Sequence, residues 1–243
     1  MRTNLELIEY GSGEGLKTRL LIRALRPAAY LPIDISEAAL RRAAQRLGRE
    51  FPWLEIAPVN GDFSRPLALP APRPRAKRVV YFPGSTVGNL TPGEAHAFLR
   101  MTRGQVGPKG TMLVGVDLKK DPGILHAAYN DARGVTAAFN LNLLARINRE
   151  LGADFDLRRW RHYAFYNAPL GRIEMHLASL EAQVVNLGNY RFAFARGETI
   201  HTENSYKYSV EEFRALAARA GFAEGKLWMD RKGLFALHGL RAD

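Results

Sequence analysis

The strongest constraint on the fold is the order in which apolar runs and amphipathic stretches alternate through the first half of the chain. "LELIEYG", from Leu5 to Gly11, reads as a strand, and "GLKTRLLIRAL" after it has the period of a helix. "AYLPIDI" is a second strand. "SEAALRRAAQRLGREF" follows as a helix, with Ser36 at its N-cap and Ala39, Leu40, Ala43 and Leu47 on one face. "LEIAPVNGDF" reads as a third strand and its exit turn, "KRVVYF" as a fourth and "TMLVGVD" as a fifth. Between the last two, "TPGEAHAFLRMTRGQ" is a helix capped by Thr91, with Pro92 at its first position. This β-α-β-α order predicts a parallel, doubly wound α/β sheet with helices on both faces. "LALPAPRPRAK" is a Pro-rich loop between the third and fourth strands, not a domain linker.

The pattern changes near Asp121. "DPGILHAAYNDARGVTAAFNLNLLARINREL" reads as helices, and "RIEMHLASL", "EAQVVNL" and "YRFAFARG" alternate like antiparallel strands. "SVEEFRALAARAG" is then a capped helix, and "KLWMD" and "LFALHGL" form a terminal antiparallel pair of the kind that closes a parallel sheet. The expected organisation is one domain from residues 1–120 and 208–243, carrying an inserted α+β lobe from 121 to 207.

Composition removes several classes of function. The chain has 243 residues, of which 47% are hydrophobic, enough for a sizeable core. No apolar run approaches the roughly 18 residues of a membrane span. "MRTNLELIEYG" lacks a signal-peptide profile because Glu6 and Glu9 interrupt its short apolar part, so a cytoplasmic protein is expected. Cysteine is absent, which excludes disulfides, thiolate metal sites and cysteine nucleophiles. The net charge of +11 would attract anionic partners, but "RRAAQRLGR", "RPRAKR" and "LRRWRH" lie far apart and read as solvated faces. His126, His162 and His176 show no metal-ligand spacing along the chain, so they read as structural and no metal is expected.

The turn after the first strand runs Glu9, Tyr10, Gly11, Ser12, Gly13, Glu14, Gly15. Glycines there permit a tight turn and remove the β-carbons that would keep a ligand off the backbone. Alone, such a match is weak. Asp34, however, ends the second strand about 20 residues further on, where an acid can accept both hydroxyls of a ribose. Asp62 in "NGDF" follows the third strand, where it can accept an adenine amino group beside the ring of Phe63. Three polar landmarks at the ends of consecutive strands suggest a nucleoside site. The G-x-G-x-G spacing preceded by an acid resembles motif I of S-adenosylmethionine-dependent methyltransferases more than a dinucleotide fingerprint. No Pro-Pro turn of the base-directed amino-methyltransferases follows the fourth strand, which lowers the nucleic-acid reading.

Longer stretches carry a more specific resemblance. "LIEYGSGEGLKTRLL", "YLPIDIS", "NGDFS", "VYFPGSTVGNL", "GVDLKKD", "AAYNDARGVTAAFNLNLLARINRELGADFD", "IEMHL" and "TENSYKYS" occur in this order. Together they resemble the histidine Nα-methyltransferase family of ergothioneine biosynthesis, from about Leu7 to Leu240. The resemblance implies a Rossmann-like methyltransferase domain with a substrate lobe. It implies successive transfer of up to three methyl groups from S-adenosylmethionine to the α-amine of L-histidine, giving hercynine. It places Gly11, Gly13, Lys17, Asp34, Asp62 and Phe63 at the methyl donor. Gly84 and Asn89 in "PGSTVGN", with Tyr129 and Thr136 in "YNDARGVT", match positions around the amino acid's α-amine and carboxylate. Met175, Glu203 and Ser205 match the imidazole pocket, where Glu203 can accept a ring N–H and Ser205 can meet the other nitrogen. No residue is assigned as acid or base. Bland readings stand beside these: packing for Tyr129, Thr136 and Met175, and solvated charges for Lys17 and Glu203.

Family members carry a helical, aromatic-rich segment ahead of the first strand, and this sequence begins practically inside that strand. The expectation is a full donor half and a substrate half with fewer partners for histidine. A small-molecule substrate is expected, with no nucleic-acid or membrane partner, acted on by a monomer. Two alternatives stay open: a nucleic-acid methyltransferase using the basic surface, and a truncated, donor-binding but inactive form.

Overall fold

The computed structural model describes residues 3–13, 15, 17–65 and 67–242. The chain divides into two compact units. The first is made of the stretch up to Val87, Pro92–Leu118 and the chain from Ser209 onward; the second is Gly88–Thr91 with Lys119–Tyr208. Gly88–Thr91, inside the 1–120 span expected for the first domain, group with the second unit instead, as do Lys119, Lys120 and Tyr208 at its borders. The reason is local. Gly88 lies against the Tyr206 backbone, where an added Cβ would meet the carbonyl oxygen at 2.6 Å.

In the first unit the elements are β1 (Leu5–Tyr10), α1 (Thr18–Leu25), β2 (Ala29–Asp34), α2 (Glu37–Glu50), β3 (Glu55–Ile56), β4 (Val59–Asn60), β5 (Lys77–Phe82), α3 (Pro92–Val106) and β6 (Thr111–Asp117). The strands of β1 and β2 are buried almost without a break, as strands covered on both faces must be. Ser36 caps α2 by accepting the Ala39 amide at 3.3 Å, and the helix buries Leu40, Ala43 and Leu47. The expected third strand is in fact two short pieces, β3 and β4, both paired with β2. Pro58 stands between them; it has no amide to donate to a ladder.

The second unit holds α4 (Pro122–Tyr129), α5 (Val135–Leu151), β7 (Trp160–Asn167), β8 (Arg172–Ser179), β9 (Gln183–Leu187), β10 (Tyr190–Phe194) and β11 (Thr199–Tyr206). Asp121 caps α4 by accepting the Gly123 and Ile124 amides, ahead of Pro122. The strands form two sheets, β11-β8-β7 and a β9-β10 hairpin. Strands β7 and β11 were not anticipated. One face of the three-stranded sheet packs Ala164, Ile173 and Met175 against Leu125 of α4, and Trp160 and Leu177 against Leu144 of α5.

The chain ends in α6 (Val210–Arg219), β12 (Ala223–Met229) and β13 (Phe235–Arg241), all in the first unit. Ser209 and Glu212 form a capping box at the start of α6. The full sheet order is β12-β13-β6-β5-β1-β2-β3, parallel from β6 to β3, with β13 and β12 antiparallel. This is a Rossmann-like doubly wound sheet. Its strand order reverses between β1 and β5, the switch point where such sheets bind ligands at the strands' carboxyl ends. No helix among the described residues is long and apolar enough to cross a membrane.

Candidate functional site

A cavity of about 330 Å³ opens at that switch point. It is lined by the end of β1 (Glu9, Tyr10), the glycine turn (Gly11, Ser12, Gly15, Lys17), Phe63, the end of β5 with Pro83 and Gly84, and Thr86. Gly11, Gly13 and Gly15 have φ of +63°, +48° and +62°, in the left-handed region that side chains disfavour. The glycines thus serve the turn's shape as well as its bareness.

Of the residues expected at a methyl donor, Gly11, Lys17 and Phe63 meet at this cavity. Gly84, expected at the amino acid, joins them there. Gly13, Asp34 and Asp62 are not on its wall. Asp34 is tied directly to the turn: Oδ2 accepts the Gly13 amide at 2.9 Å, while Oδ1 accepts the Ser36 amide at 2.9 Å. Asp62 is exposed and accepts the amide and hydroxyl of Ser64; these bonds, with the charge of Arg65, hold its carboxyl below the usual range. Phe63 packs among Tyr10, Phe82 and Phe98, with ring centroids 5.4–6.1 Å away.

Glu9 is the acid among the residues that line the cavity. It is 4% exposed. Burial pushes its carboxyl up to about 7, although the hydroxyls of Thr18 and Tyr30 each donate to Oε2 at 2.5 Å and the charge of Lys17 favours ionisation. A cation brought beside it would favour its ionised form.

In the second unit the polar groups form one connected set. The Tyr129 hydroxyl donates to Ser205 Oγ at 2.8 Å. Lys207 Nζ donates to Tyr129 Oη at 2.9 Å and to Ser205 Oγ at 2.8 Å. Lys207 is 2% exposed. Glu203 is half-buried, and burial raises its carboxyl, against the charge of Lys207 and a hydrogen bond with Asn89 that lower it. Asn89, Tyr129, Glu203 and Ser205 are thus brought together, with Lys207 at their centre. Glu203 also borders a cavity of about 190 Å³ with Phe139, Asn140 and Arg146 of α5. Thr136 stands in the first turn of α5, its amide on Asp131 at 2.8 Å. Met175 is buried in the apolar cluster that Tyr129 packs against.

Lys207 was missed. Its signal was present: Glu203, Ser205 and Lys207 alternate, so a strand there puts all three on one face.

Comparison with known proteins fits this geometry. A family model described as histidine-specific methyltransferase, SAM-dependent, matches residues 1–242. The chain is 43% identical over 238 residues to a histidine N-alpha-methyltransferase of Mycolicibacterium smegmatis, covering 95% of this chain and 73% of that protein. It is 26% identical over 226 residues to ergothioneine biosynthesis protein 1 of Schizosaccharomyces pombe, covering 89% of this chain and 29% of that protein. Among solved structures, the CcbJ methyltransferase from Streptomyces caelestis matches with a TM-score of 0.55 at 15% identity, covering 99% of this chain and 84% of that one. That last likeness concerns the fold.

Proposed function

The chain belongs to the histidine-specific, S-adenosylmethionine-dependent methyltransferase family, and on that premise we propose that it methylates the α-amine of L-histidine, in up to three rounds, to hercynine. The observation that carries this reading is the Tyr129–Ser205–Lys207 network beside Glu203. Ser205 Oγ accepts two hydrogen bonds, from Tyr129 and from Lys207. Both of its lone pairs are then used, and its own hydrogen is left to donate. Glu203 offers an acceptor. A neutral imidazole presents one N–H and one bare nitrogen, which is the complement of that pair.

The first-unit cavity suits the methyl donor. Its volume is at the lower end of ligand pockets, its glycine turn leaves backbone bare, and Glu9 provides a countercharge for a cation. Gly11, Lys17 and Phe63 would hold the donor at the cavity wall, with Gly13, Asp34 and Asp62 in support around the turn. When bound, S-adenosylmethionine would supply an electrophilic methyl carbon on a sulfonium sulfur, with S-adenosylhomocysteine as the leaving group and one amine proton released in each round. The residues' part is to aim the histidine amine at that carbon; positioning of this kind can be worth roughly 7–11 kcal/mol. The reading takes the protein as a monomer acting on this small molecule in the cytoplasm.

Incubation of the protein with S-adenosylmethionine and L-histidine, with RNA as a parallel substrate, tests the proposal. Mass spectrometry should find mono-, di- and trimethylated histidine and no methylated RNA. Donor binding without histidine turnover would overturn it.

A further inference from the structure

We propose that the sheet β11-β8-β7 carries, on the face away from α4 and α5, a binding site for a divalent first-row transition-metal ion, formed by Glu174, His176 and His201. Spacing along the sequence gave no hint of it, because the site is made across strands. Glu174 and His176 are two residues apart on β8 and share a face. His201 on β11 is paired in register with His176. Met175, between the two β8 residues, points to the opposite, helix-packed face. The cluster is therefore separate from the Glu203 and Ser205 network.

One ligand atom from each of the three residues lies within 4.8 Å of the others. Glu174 Oε2 and His176 Nε2 are 3.3 Å apart, and the rings of His176 and His201 stack with centroids at 4.5 Å and planes 13° apart. Zinc–nitrogen bonds are about 2.0–2.1 Å, so donors on a tetrahedral ion sit roughly 3.4 Å from one another. The widest gap must close by roughly 1.5 Å, through a shift of the exposed His201 ring.

Each ligand also has its far side held. His176 Nδ1 lies 3.2 Å from Thr199 Oγ1, and His201 Nε2 lies 3.2 Å from the Glu203 carbonyl oxygen. Glu174 Oε1 accepts Asn167 Nδ2 at 2.9 Å and Arg172 Nε at 2.8 Å. That leaves Glu174 Oε2, His176 Nε2 and His201 Nδ1 for the ion. Outer partners of this sort fix the tautomer and orientation of metal ligands.

The ligand types choose the ion. Arg172 offsets the charge of Glu174, so little net negative charge remains for a hard cation such as Mg²⁺ or Ca²⁺. Two imidazoles suit Zn²⁺, Ni²⁺, Co²⁺ or Cu²⁺ instead. An ion there would also restrain the register shift between His201 and Glu203.

The test is titration of the tag-free protein, without histidine, which itself chelates metals. Zn²⁺ and Ni²⁺ would be followed by calorimetry, Co²⁺ by its visible absorption, and Mg²⁺ would serve as control. The expected result is one Zn²⁺, Ni²⁺ or Co²⁺ per chain and no saturable Mg²⁺ binding. His201→Ala, at an exposed position, should weaken Zn²⁺ binding at least about tenfold and leave S-adenosylhomocysteine affinity unchanged. Glu174→Gln should weaken it as well, and His126→Ala should not. Absence of binding up to millimolar Zn²⁺, or equal affinity in the parent and His201→Ala, would overturn the proposal. So would an equal loss in His126→Ala.

Discussion

Ser205 Oγ lies 2.8 Å from the Tyr129 hydroxyl, and the same oxygen receives a second donor, Lys207 Nζ, at 2.8 Å. The direction of these bonds follows from the lysine, which only donates. Lys207 fills an acceptor site on Tyr129, Tyr129 gives its hydrogen to Ser205, and Ser205 turns its own hydrogen outward. A buried lysine thereby sets the polarity of the proposed histidine site.

Lys207→Met keeps the length and burial of the side chain and removes its donors and charge. Hydrogen bonds from charged groups contribute about 1.5–3 kcal/mol each. Ser205 then has a spare lone pair and no fixed direction, and the Glu203 carboxyl rises further because the opposing charge is gone. KM for histidine should rise at least about tenfold. S-adenosylhomocysteine affinity should stay within about twofold. Steady-state kinetics and a calorimetric titration check the two halves separately, and an unchanged KM would count against the network.

Glu203→Ala should weaken histidine binding and relax discrimination against aromatic amino acids that lack a second ring nitrogen. A site built to hydrogen-bond a ring rejects analogues that leave its polar groups unpaired. The measurement is the ratio of kcat/KM for histidine to that for tryptophan. If the ratio is the same in both proteins, Glu203 does not read the imidazole.

Glu9 makes stability depend on pH in a stated direction. Its folded carboxyl titrates at about 7 and its ordinary value is 4.5. Between those values the folded chain holds a proton that the unfolded chain has released. Stability from this group therefore falls as pH rises from about 4.5 to 7, by on the order of 3 kcal/mol, and is level above about 8. Gln at this position mimics the protonated acid. Glu9→Gln should match the wild type near pH 4.5 and exceed it at pH 8. Urea midpoints of both proteins across that range give the difference directly; a difference independent of pH would show that Glu9 ionises at its ordinary value.

The first unit is more legible in the sequence than the second, for physical reasons. Strands β1, β2, β5 and β6 are largely buried, so their sequences are mostly apolar and stand out. The turn announces itself because only glycine sits easily at the positive φ of Gly11 and Gly13. Strand β11 has the opposite character. Its sequence, "TIHTENSY", spends Glu203 and Ser205 on the polar network and His201 on the other face, which leaves too few apolar residues to mark a strand. The alternation of Glu203, Ser205 and Lys207 is visible in the sequence, but the burial of a lysine shows only once its partners are placed. Pro58 broke a strand that apolar content alone had made continuous. Met175 was read both as core and as a pocket residue, and its burial agrees with the first without deciding the second.

The acid that ends β2 is the position where donor binding should be most sensitive. Asp34 has one oxygen on the Gly13 amide and one on the Ser36 amide, each at 2.9 Å. Each carboxylate oxygen has a further lone pair, so both remain able to accept a ribose hydroxyl. Asp34→Ala removes the proposed acceptors and also releases Gly13, whose φ of +48° is held partly by that bond. With about 1.5–3 kcal/mol for hydrogen bonds to a charged group, affinity for S-adenosylhomocysteine should fall at least about tenfold. Asp34→Asn is the finer probe. Its amide nitrogen must face either Gly13 or Ser36, and an N–H cannot accept from an N–H, so one tie and one ribose acceptor are lost while the other survives. The affinities should rank Asp above Asn above Ala in calorimetric titrations. If Asn binds as well as Asp, the charge and second oxygen are idle, and the ribose belongs elsewhere. If Ala also binds unchanged, Asp34 serves the turn alone.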